Sequence, residues 1–406
     1  MSEFINRPLS RRGFLGGATV AAGLGLTACG GGQQKAAEAP SGKEGGGTIT
    51  AGTAYSTQNY DPSTTSSALA LGVNWQVVEG LYGLNFHDYS TFNELATADP
   101  KKVDDNTFEI TIRDGAKFSD GNEVKADDVV ESFNRSAAKG SVYVPMLSPI
   151  ASVEKKDDKT VTVKTTIANF SLLKERLSIV RVVPASSSQD EMKKQPVGSG
   201  PWQFESISDN TLDLVPNKNY NGATPAKDDK LHYDVLKDPT ARLTAQQDGT
   251  TLAMEMVPAD AVEQLKGAGC TVDAVQGFGV RFAMFNLGKA PWDNVKVRQA
   301  CLYALDTDKM LANAFSGQAE VATSYLPSSF ANYHKASTVY AHDVDKAKKL
   351  IADSGITPGD VVLRTTDNEQ VKSMATQVKN DLDALGFNVS IVSDTSPATY
   401  AAIDAV

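Results

Sequence analysis

Histidine and cysteine are scarce in this chain: four of the first and three of the second among 406 residues. His87, His232, His334 and His342 fall in no metal-ligand spacing, so no metal centre and no cofactor is expected. His342 stands beside Asp343 at a helix start, where capping and exposure account for it. Cys270 and Cys301 make no disulfide framework and read as buried small apolar residues. Phosphate-cradling loops are missing, and "VGSGPW" places a serine between glycines without the strand–elbow–helix setting of a hydrolase nucleophile. Acids abound, yet sequence cannot pair two of them across a cleft. Nothing here supports catalysis.

Positive charge is also in deficit. The 39 basic and 49 acidic residues become 36 and 48 once Arg7, Arg11, Arg12 and Glu3 are set aside with residues 1–28, a net charge of −12. Such a surface repels nucleic acid phosphates. Long apolar runs are absent too. The longest candidate, Gly13 to Ala28, is 16 residues of mostly Gly, Ala and Leu, whereas a spanning helix needs about 20 strongly apolar ones.

What that stretch does contain is an address. Arg7, Arg11 and Arg12 form a basic region before a short apolar one. Ser10-Arg11-Arg12-Gly13-Phe14-Leu15 resembles the twin-arginine export motif, and Leu26-Thr27-Ala28-Cys29 resembles a lipobox in which Cys29 becomes the lipidated first residue. The plainer reading is an ordinary secretory signal with a chance cysteine. Residues 29–47, "CGGGQQKAAEAPSGKEGGG", then read as a flexible tether; about 18 such residues have a reach of about 25 Å.

Order is expected from Thr48. Roughly 375 residues exceed one hydrophobic core, so two or more domains are expected. "KVDDNTFEITIR" (102–113) and "EKKDDKTVTVKT" (154–165) each set an Asp-Asp turn before an alternating strand, with Phe108, Ile110 and Ile112 on one face of the first and Val161 and Val163 on one face of the second. Between them Ala126, Val129, Val130 and Phe133 recur at helical spacing. Further on, "TLDLVP", "LHYDVL", "TLAMEM" and "CTVDAV" read as strands, and two intervening helices end at Gly249 and Gly269. After Phe278, "VRFAMFNLG" reads as a strand, followed by helices. In the last of these Val371, Met374, Ala375, Val378, Leu382 and Leu385 form one stripe before Gly386. The helix begun by "SPATYAAIDAV" breaks off at Val406, so the chain is expected to be a fragment.

Four separated segments resemble the family-5 extracellular solute-binding proteins of ABC transporters, the oligopeptide/dipeptide/nickel group. One runs through Arg113, Gly115, Phe118, Ser119, Asp120, Gly121, Ala126, Asp128 and Val129; the others are "PVGSGPWQFES", "FNLGKAPWDNVKVRQACLYALDTDKM" and "DVDKAKKLIADSG". Ser199 stands for the group's usual threonine and Leu305 for its isoleucine. Without the family, the same residues read as scaffold: Gly115 and Gly121 as tight turns, Asp128 in a helix's first turn.

The resemblance implies a mixed α/β (α+β) two-lobed clamp with an extra α+β domain, its C-terminal part missing. Domain I would comprise 48–83 and 184–278, domain II 84–183, and domain III 279–406. The implied function is an extracytoplasmic lipoprotein, monomeric and lipid-anchored to the outer face of the cell membrane. It would hold a solute, a short peptide first, between its lobes and pass it to a membrane permease. Metal chelates, opines and oligosaccharides remain open as cargo. An exported hydrolase and an envelope sensor are the alternatives. Loop and margin positions give the candidate ligand residues: Tyr55, Asn59, Gly72, Asn74, Tyr143, Arg181, Trp202, Phe278 and Arg281. For each aromatic the competing reading is core packing, and for Arg181 and Arg281 an ion pair.

Overall fold

The computed structural model describes residues 46–394 except Gln276, Phe278 and Ala331, together with Thr399 and Ala402. Arg11, Arg12, Cys29 and Phe278 therefore lie outside the described residues, as do the export signal, most of the tether and the last helix start.

Gly46 and Gly47, ahead of the expected first strand, are already tied to the body of the protein. Gly46 N–H donates to Lys227 O at 3.0 Å, and Gly47 N–H to the Asp229 carboxylate at 2.8 Å, closing a span of 182 residues. β1 (Thr48–Thr53) leads through the Asp61-Pro62 turn into α1 (Ala68–Val77). Asp61 Oδ1 accepts from Ser63 N–H and hydroxyl, at 2.9 and 2.7 Å, the local bond that makes aspartate a turn residue. Asn74 Nδ2 donates to Tyr60 O at 2.8 Å and ties the helix to that turn.

A second body follows. β2 (Tyr82–Leu84) and β3 (Thr91–Asn93) make a hairpin. Then come β4 (Lys101–Lys102), β5 (Thr107–Thr111), α2 (Ala126–Ser136), α3 (Val144–Leu147), β6 (Ile150–Lys155), β7 (Thr160–Thr165) and α4 (Leu173–Leu177). The sheet runs β4-β5-β7-β6, all antiparallel. The two Asp-Asp segments are partners: Phe108 faces Val163 and Ile110 faces Val161. All four are buried with Ile112, and α2 lays Ala126, Val129 and Phe133 into the same cluster, with Val130 half-buried beside it. Gly115 and Gly121 take φ of +69° and +92°, which a side chain would strain. Asp128 accepts from Lys125 N–H at the start of α2 and from Ala185 N–H, both at 2.8 Å.

The chain then returns through α5 (Gln189–Lys194), β8 (Trp202–Ile207), β9 (Thr211–Pro216), β10 (Lys230–Val235), α6 (Pro239–Gln247), β11 (Ala253–Met254) and α7 (Val262–Gly267). The sheet order is β11-β1-β10-β9-β8. β1 runs parallel to β10, Thr48 against Lys230 through Thr53 against Val235, and parallel to β11; β9 is antiparallel to β10 and β8. Tyr60, Val73, Val77, Trp202, Phe204, Leu212, Leu214 and Leu231 fill its core.

The rest of the described chain comprises α8 (Val295–Ala304), α9 (Thr307–Phe315), α10 (Val344–Ser354), β12 (Asp360–Thr366), α11 (Glu369–Asp383) and β13 (Asn388–Asp394), and all of these but α9 contribute to a third core cluster. β12 and β13 are parallel and in register, and α11 supplies the crossover such a pair requires. The α11 stripe buries Ala375, Leu382 and Leu385 and half-buries Val371, Met374 and Val378.

Two strand expectations fail. Residues 270–275 and 280–288 pair with no described strand, and Val275, Phe282, Met284 and Leu287 are largely exposed. Alternation makes a strand only where a second edge satisfies its backbone groups.

Candidate functional site

Because β1 is parallel to both neighbours, the carboxyl ends of β10, β1 and β11 open on the same edge of the sheet. In open α/β sheets that edge is where loops meet ligands. Here it carries Thr53 at the end of β1 with Ala54 and Tyr55 after it, Leu236 and Lys237 after β10, and Glu255 and Met256 after β11.

The edge is tightly held. Arg242 of α6 is buried, and its Nη1 donates to Leu236 O and Lys237 O at 2.6 and 2.9 Å, its Nη2 to Met256 O at 3.2 Å. One guanidinium thus fixes the loops after two strands, with the planar fork that suits carbonyl acceptors. Thr53 Oγ1 donates to Glu255 Oε1 at 2.6 Å, and Ala54 N–H donates to the same oxygen at 3.3 Å. Met256 follows at φ +54°. Tyr55, Glu255 and Met256 are exposed. Behind them Gln76 Nε2 donates to Tyr233 OH at 2.9 Å and to Gly72 O at 3.3 Å. Burial holds the Tyr233 phenol above its usual range, and the charge of Glu255 adds to the effect.

The candidates named from sequence are not gathered in one place. Tyr55 and Gly72 are exposed, Tyr55 on the edge and Gly72 on α1, where an added Cβ would meet open space. Asn59 braces the following turn, accepting from Asp61 N–H at 3.1 Å and donating to Thr64 Oγ1 at 3.2 Å. Asn74 is the buried brace to Tyr60. Tyr143 is buried, its hydroxyl donating to Thr65 O at 3.5 Å. Arg181 is buried in an ion pair with Glu94 and hydrogen-bonded to Val78 O and Ser178 O. Trp202 lies in the core of the five-stranded sheet. Arg281 is exposed in the stretch that forms no strand.

Sequence reasoning missed Thr53, Gln76, Arg242, Glu255 and Met256. For Thr53, Glu255 and Met256 the one signal was position at a strand's carboxyl end, which depends on knowing that β1, β10 and β11 are parallel neighbours; Gln76 and Arg242 lie on helices and carried none. Two open hollows, about 320 Å³ beside Ser119, Glu191, Gln195 and Phe204 and about 460 Å³ beside Asn85, Phe86, Phe92 and Thr224, share no lining residue with this edge. Among the described residues no group of three or more His, Cys, Asp or Glu is placed to hold a metal, and no helix is long and apolar enough to cross a membrane.

Comparison with known proteins places the chain and its fold. Heme-binding protein A of Haemophilus influenzae is 31% identical over 357 residues, 78% of this chain and 64% of that protein. The dipeptide-binding protein of Escherichia coli is 25% identical over 328 residues, 71% of this chain and 61% of its own length. The chain thus spans less than two thirds of these relatives. Among solved structures, the oligopeptide-binding protein AppA of Bacillus subtilis, in complex with a nonapeptide, matches with a TM-score of 0.74 at 22% identity, covering 88% of this chain and 76% of that one. The agropinic-acid complex of AgaA from A. tumefaciens R10 matches at 0.75 and 23%, covering 87% and 74%. Both share the periplasmic-binding-protein fold. The family model of bacterial extracellular solute-binding proteins, family 5 (middle), matches residues 92–404. By that match the chain belongs to the family-5 bacterial extracellular solute-binding proteins.

Proposed function

We propose that this protein is the solute-capturing component of an ABC importer, working outside the cytoplasm and taking a short peptide as its cargo. The observation that carries the reading is the carboxyl edge of the five-stranded sheet. There an exposed thioether and carboxylate (Met256 and Glu255) stand on a loop pinned by a buried arginine, and an exposed aromatic (Tyr55) follows the strand end that Thr53 and Ala54 tie to Glu255, in a chain of this family. A pinned edge loses little conformational entropy on binding, which leaves more of the contact energy as affinity.

In this reading the cargo lies between domain I (48–83 and 184–278) and domain III (from 279), with domain II (84–183) on the flank. A ligand touching both sides stabilises the closed state only by its greater affinity for that state. Micromolar capture corresponds to about −8 kcal/mol. A membrane permease then tells loaded from empty protein by geometry. Export by the twin-arginine signal and lipidation at Cys29 would keep the body at the outer face of the membrane. The cargo leaves chemically unchanged.

Peptide leads because relatives bear that description, among them the Brucella peptide-binding proteins at 29% identity and the dipeptide-binding protein of E. coli. Heme is the second reading, favoured by the 31% identity with heme-binding protein A. Native mass spectrometry of gently purified protein, followed by calorimetric titration with trialanine and with hemin, decides between them. A peptide mass that dissociates on denaturation is the expected result. A hydrolysed peptide in the titration cell would overturn the reading in favour of an enzyme.

A further inference from the structure

We infer that the hairpin of β2 and β3 is a membrane-contact surface, its aromatic tip resting in the interface of the lipid bilayer to which the chain is anchored. The inference rests on the extracytoplasmic, lipid-anchored reading and adds the face by which the folded body meets the membrane.

The tip is apolar outside and satisfied inside. Phe86, Phe92 and Tyr89 are 58%, 48% and 40% exposed. The Phe86 ring stands edge-on to Trp75, 5.0 Å between centroids, and to Tyr89 at 6.5 Å. Gly83 lets the Phe92 ring lie across the backbone, since an added Cβ would stand 2.3 Å from it. Asn85 N–H donates to Ser90 O at 2.8 Å and Tyr89 N–H to Asn85 O at 2.7 Å. His87 N–H donates to Asn85 Oδ1 at 3.0 Å and Ser90 N–H to Asp88 Oδ1 at 2.9 Å. These bonds hold Tyr89 at φ +58°. A loop that satisfies its own backbone gives up few water bonds at the edge of hydrocarbon, and aromatic rings are the side chains that settle at that boundary.

Position names the occupant. Phe86 and Phe92 line an open hollow of about 460 Å³ together with Thr224. Three residues on, Lys227 O accepts from Gly46 N–H at 3.0 Å, and three residues span at most about 11 Å. The N-terminal segment therefore joins the body beside the aromatic patch. Residues 30–45 include no large apolar side chain to cover it, and Cys29 ahead of them is the lipid-bearing residue of the anchored reading. A tether with a reach of about 25 Å keeps tip and bilayer at high effective concentration, so a weak contact suffices. Residues 84–93 hold no lysine or arginine. The contact is thus made by rings rather than by charge, and salt does not release it.

Photo-crosslinking tests this in the full chain matured in cells, with p-benzoylphenylalanine in place of Phe86 or, as an exposed control, of Tyr325, which is 90% exposed. Intact mass reports whether Cys29 is acylated. Illumination follows on vesicles of phosphatidylcholine, alone or mixed equally with phosphatidylglycerol, and in native cell membranes. Position 86 is expected to form lipid adducts on both vesicles, at low and high salt, well above position 325. Adding Phe92→Ser should lower the yield about tenfold through the loss of one seated ring, with melting by circular dichroism unchanged. Equal yields at the two positions, or none at position 86 of an acylated chain, overturn the inference and leave the anchored reading standing. Lipid adducts at position 86 of a chain without acyl groups support the inference and overturn the anchor. A protein adduct in place of lipid in cell membranes overturns it and gives the patch to a protein partner. Neither adduct nor acyl group overturns both.

Discussion

Arg181 donates from Nη1 to Glu94 Oε2 at 2.8 Å, with both side chains almost wholly removed from water. The guanidinium lies over the Trp75 ring, 3.2 Å from its centroid. It also bonds Val78 O and Ser178 O, while Glu94 accepts from Gly80 N–H at 2.6 Å. Next to it, Arg113 makes two parallel bonds of 2.8 Å to Glu79 and a third to Glu94 O. The network fastens the segment after α1 to the hairpin of the second body. Burial, the largest effect, pushes the Glu94 carboxyl up, and the charge of Arg181 pulls against it.

Breaking this pair from one side should be costly. Arg181→Ala leaves Glu94 buried without a counter-charge and is expected to lower stability by about 3–5 kcal/mol. Arg181→Met with Glu94→Gln removes both charges and should restore part of that loss. Urea unfolding of the two variants checks it; equal midpoints for Arg181→Ala and wild type would show that the pair contributes nothing.

His232 gives a pH dependence. The hydrogen bond to Asp213, Nδ1 to Oδ1 at 2.6 Å, is the main cause holding His232 above its usual 6.5, helped by the charges of Asp234 and Asp213. Lys230 faces the same group, bonding Glu205 of β8 and Asp213. A raised folded-state value favours the protonated fold. The stabilisation is therefore complete below about pH 6.5 and is lost as pH rises through the folded value. Stability of wild type relative to His232→Gln should fall between pH 6 and pH 8, roughly the range in which histidine changes charge. A flat difference across thermal melts in that range would refute it.

Two glycines should respond in opposite directions. A Cβ on Gly198 would stand 2.0 Å from Val77 O at the end of α1, so Gly198→Ala is expected to destabilise by about 1–3 kcal/mol or more. Gly72 faces open space within α1, and Gly72→Ala should stabilise by up to about 1 kcal/mol. Melting temperatures of the pair are the readout. Any loss of ligand affinity in the stabilised Gly72→Ala protein would mark a backbone contact to cargo.

The thiols should separate by rate. Burial pushes the Cys301 thiol up to about 12, in the core of the third cluster, whereas Cys270 is half-buried. Thiolate is the reactive form, so iodoacetamide followed by peptide mapping should label Cys270 in native protein and Cys301 only after unfolding. Equal labelling rates would place Cys301 in a loosened core.

Much of the architecture is written in local pattern. Alternation at Phe108, Ile110, Val161 and Val163 gives a sheet with one buried face, because side chains alternate with period two. The stripes of α10 and α11 and their left-handed stops at Gly355 and Gly386 follow from helical period and from glycine's freedom at positive φ. Gly115, Gly121 and Asp128 were likewise readable as scaffold, and they are. All of these depend on neighbours a few residues away.

Tertiary structure alone decided the rest. That β1 pairs with β10 across 182 residues, and with β11 so that Thr53 meets Glu255, is set by which faces can be buried together. The same constraint turned Arg181 and Trp202 inward, brought Gly198 against Val77, and left 280–288 without a strand partner among the described residues. Sequence determines what each segment prefers, because propensity and periodicity are local. Which preferences are met depends on long-range partners for backbone bonds and buried charge, and only the folded chain supplies them.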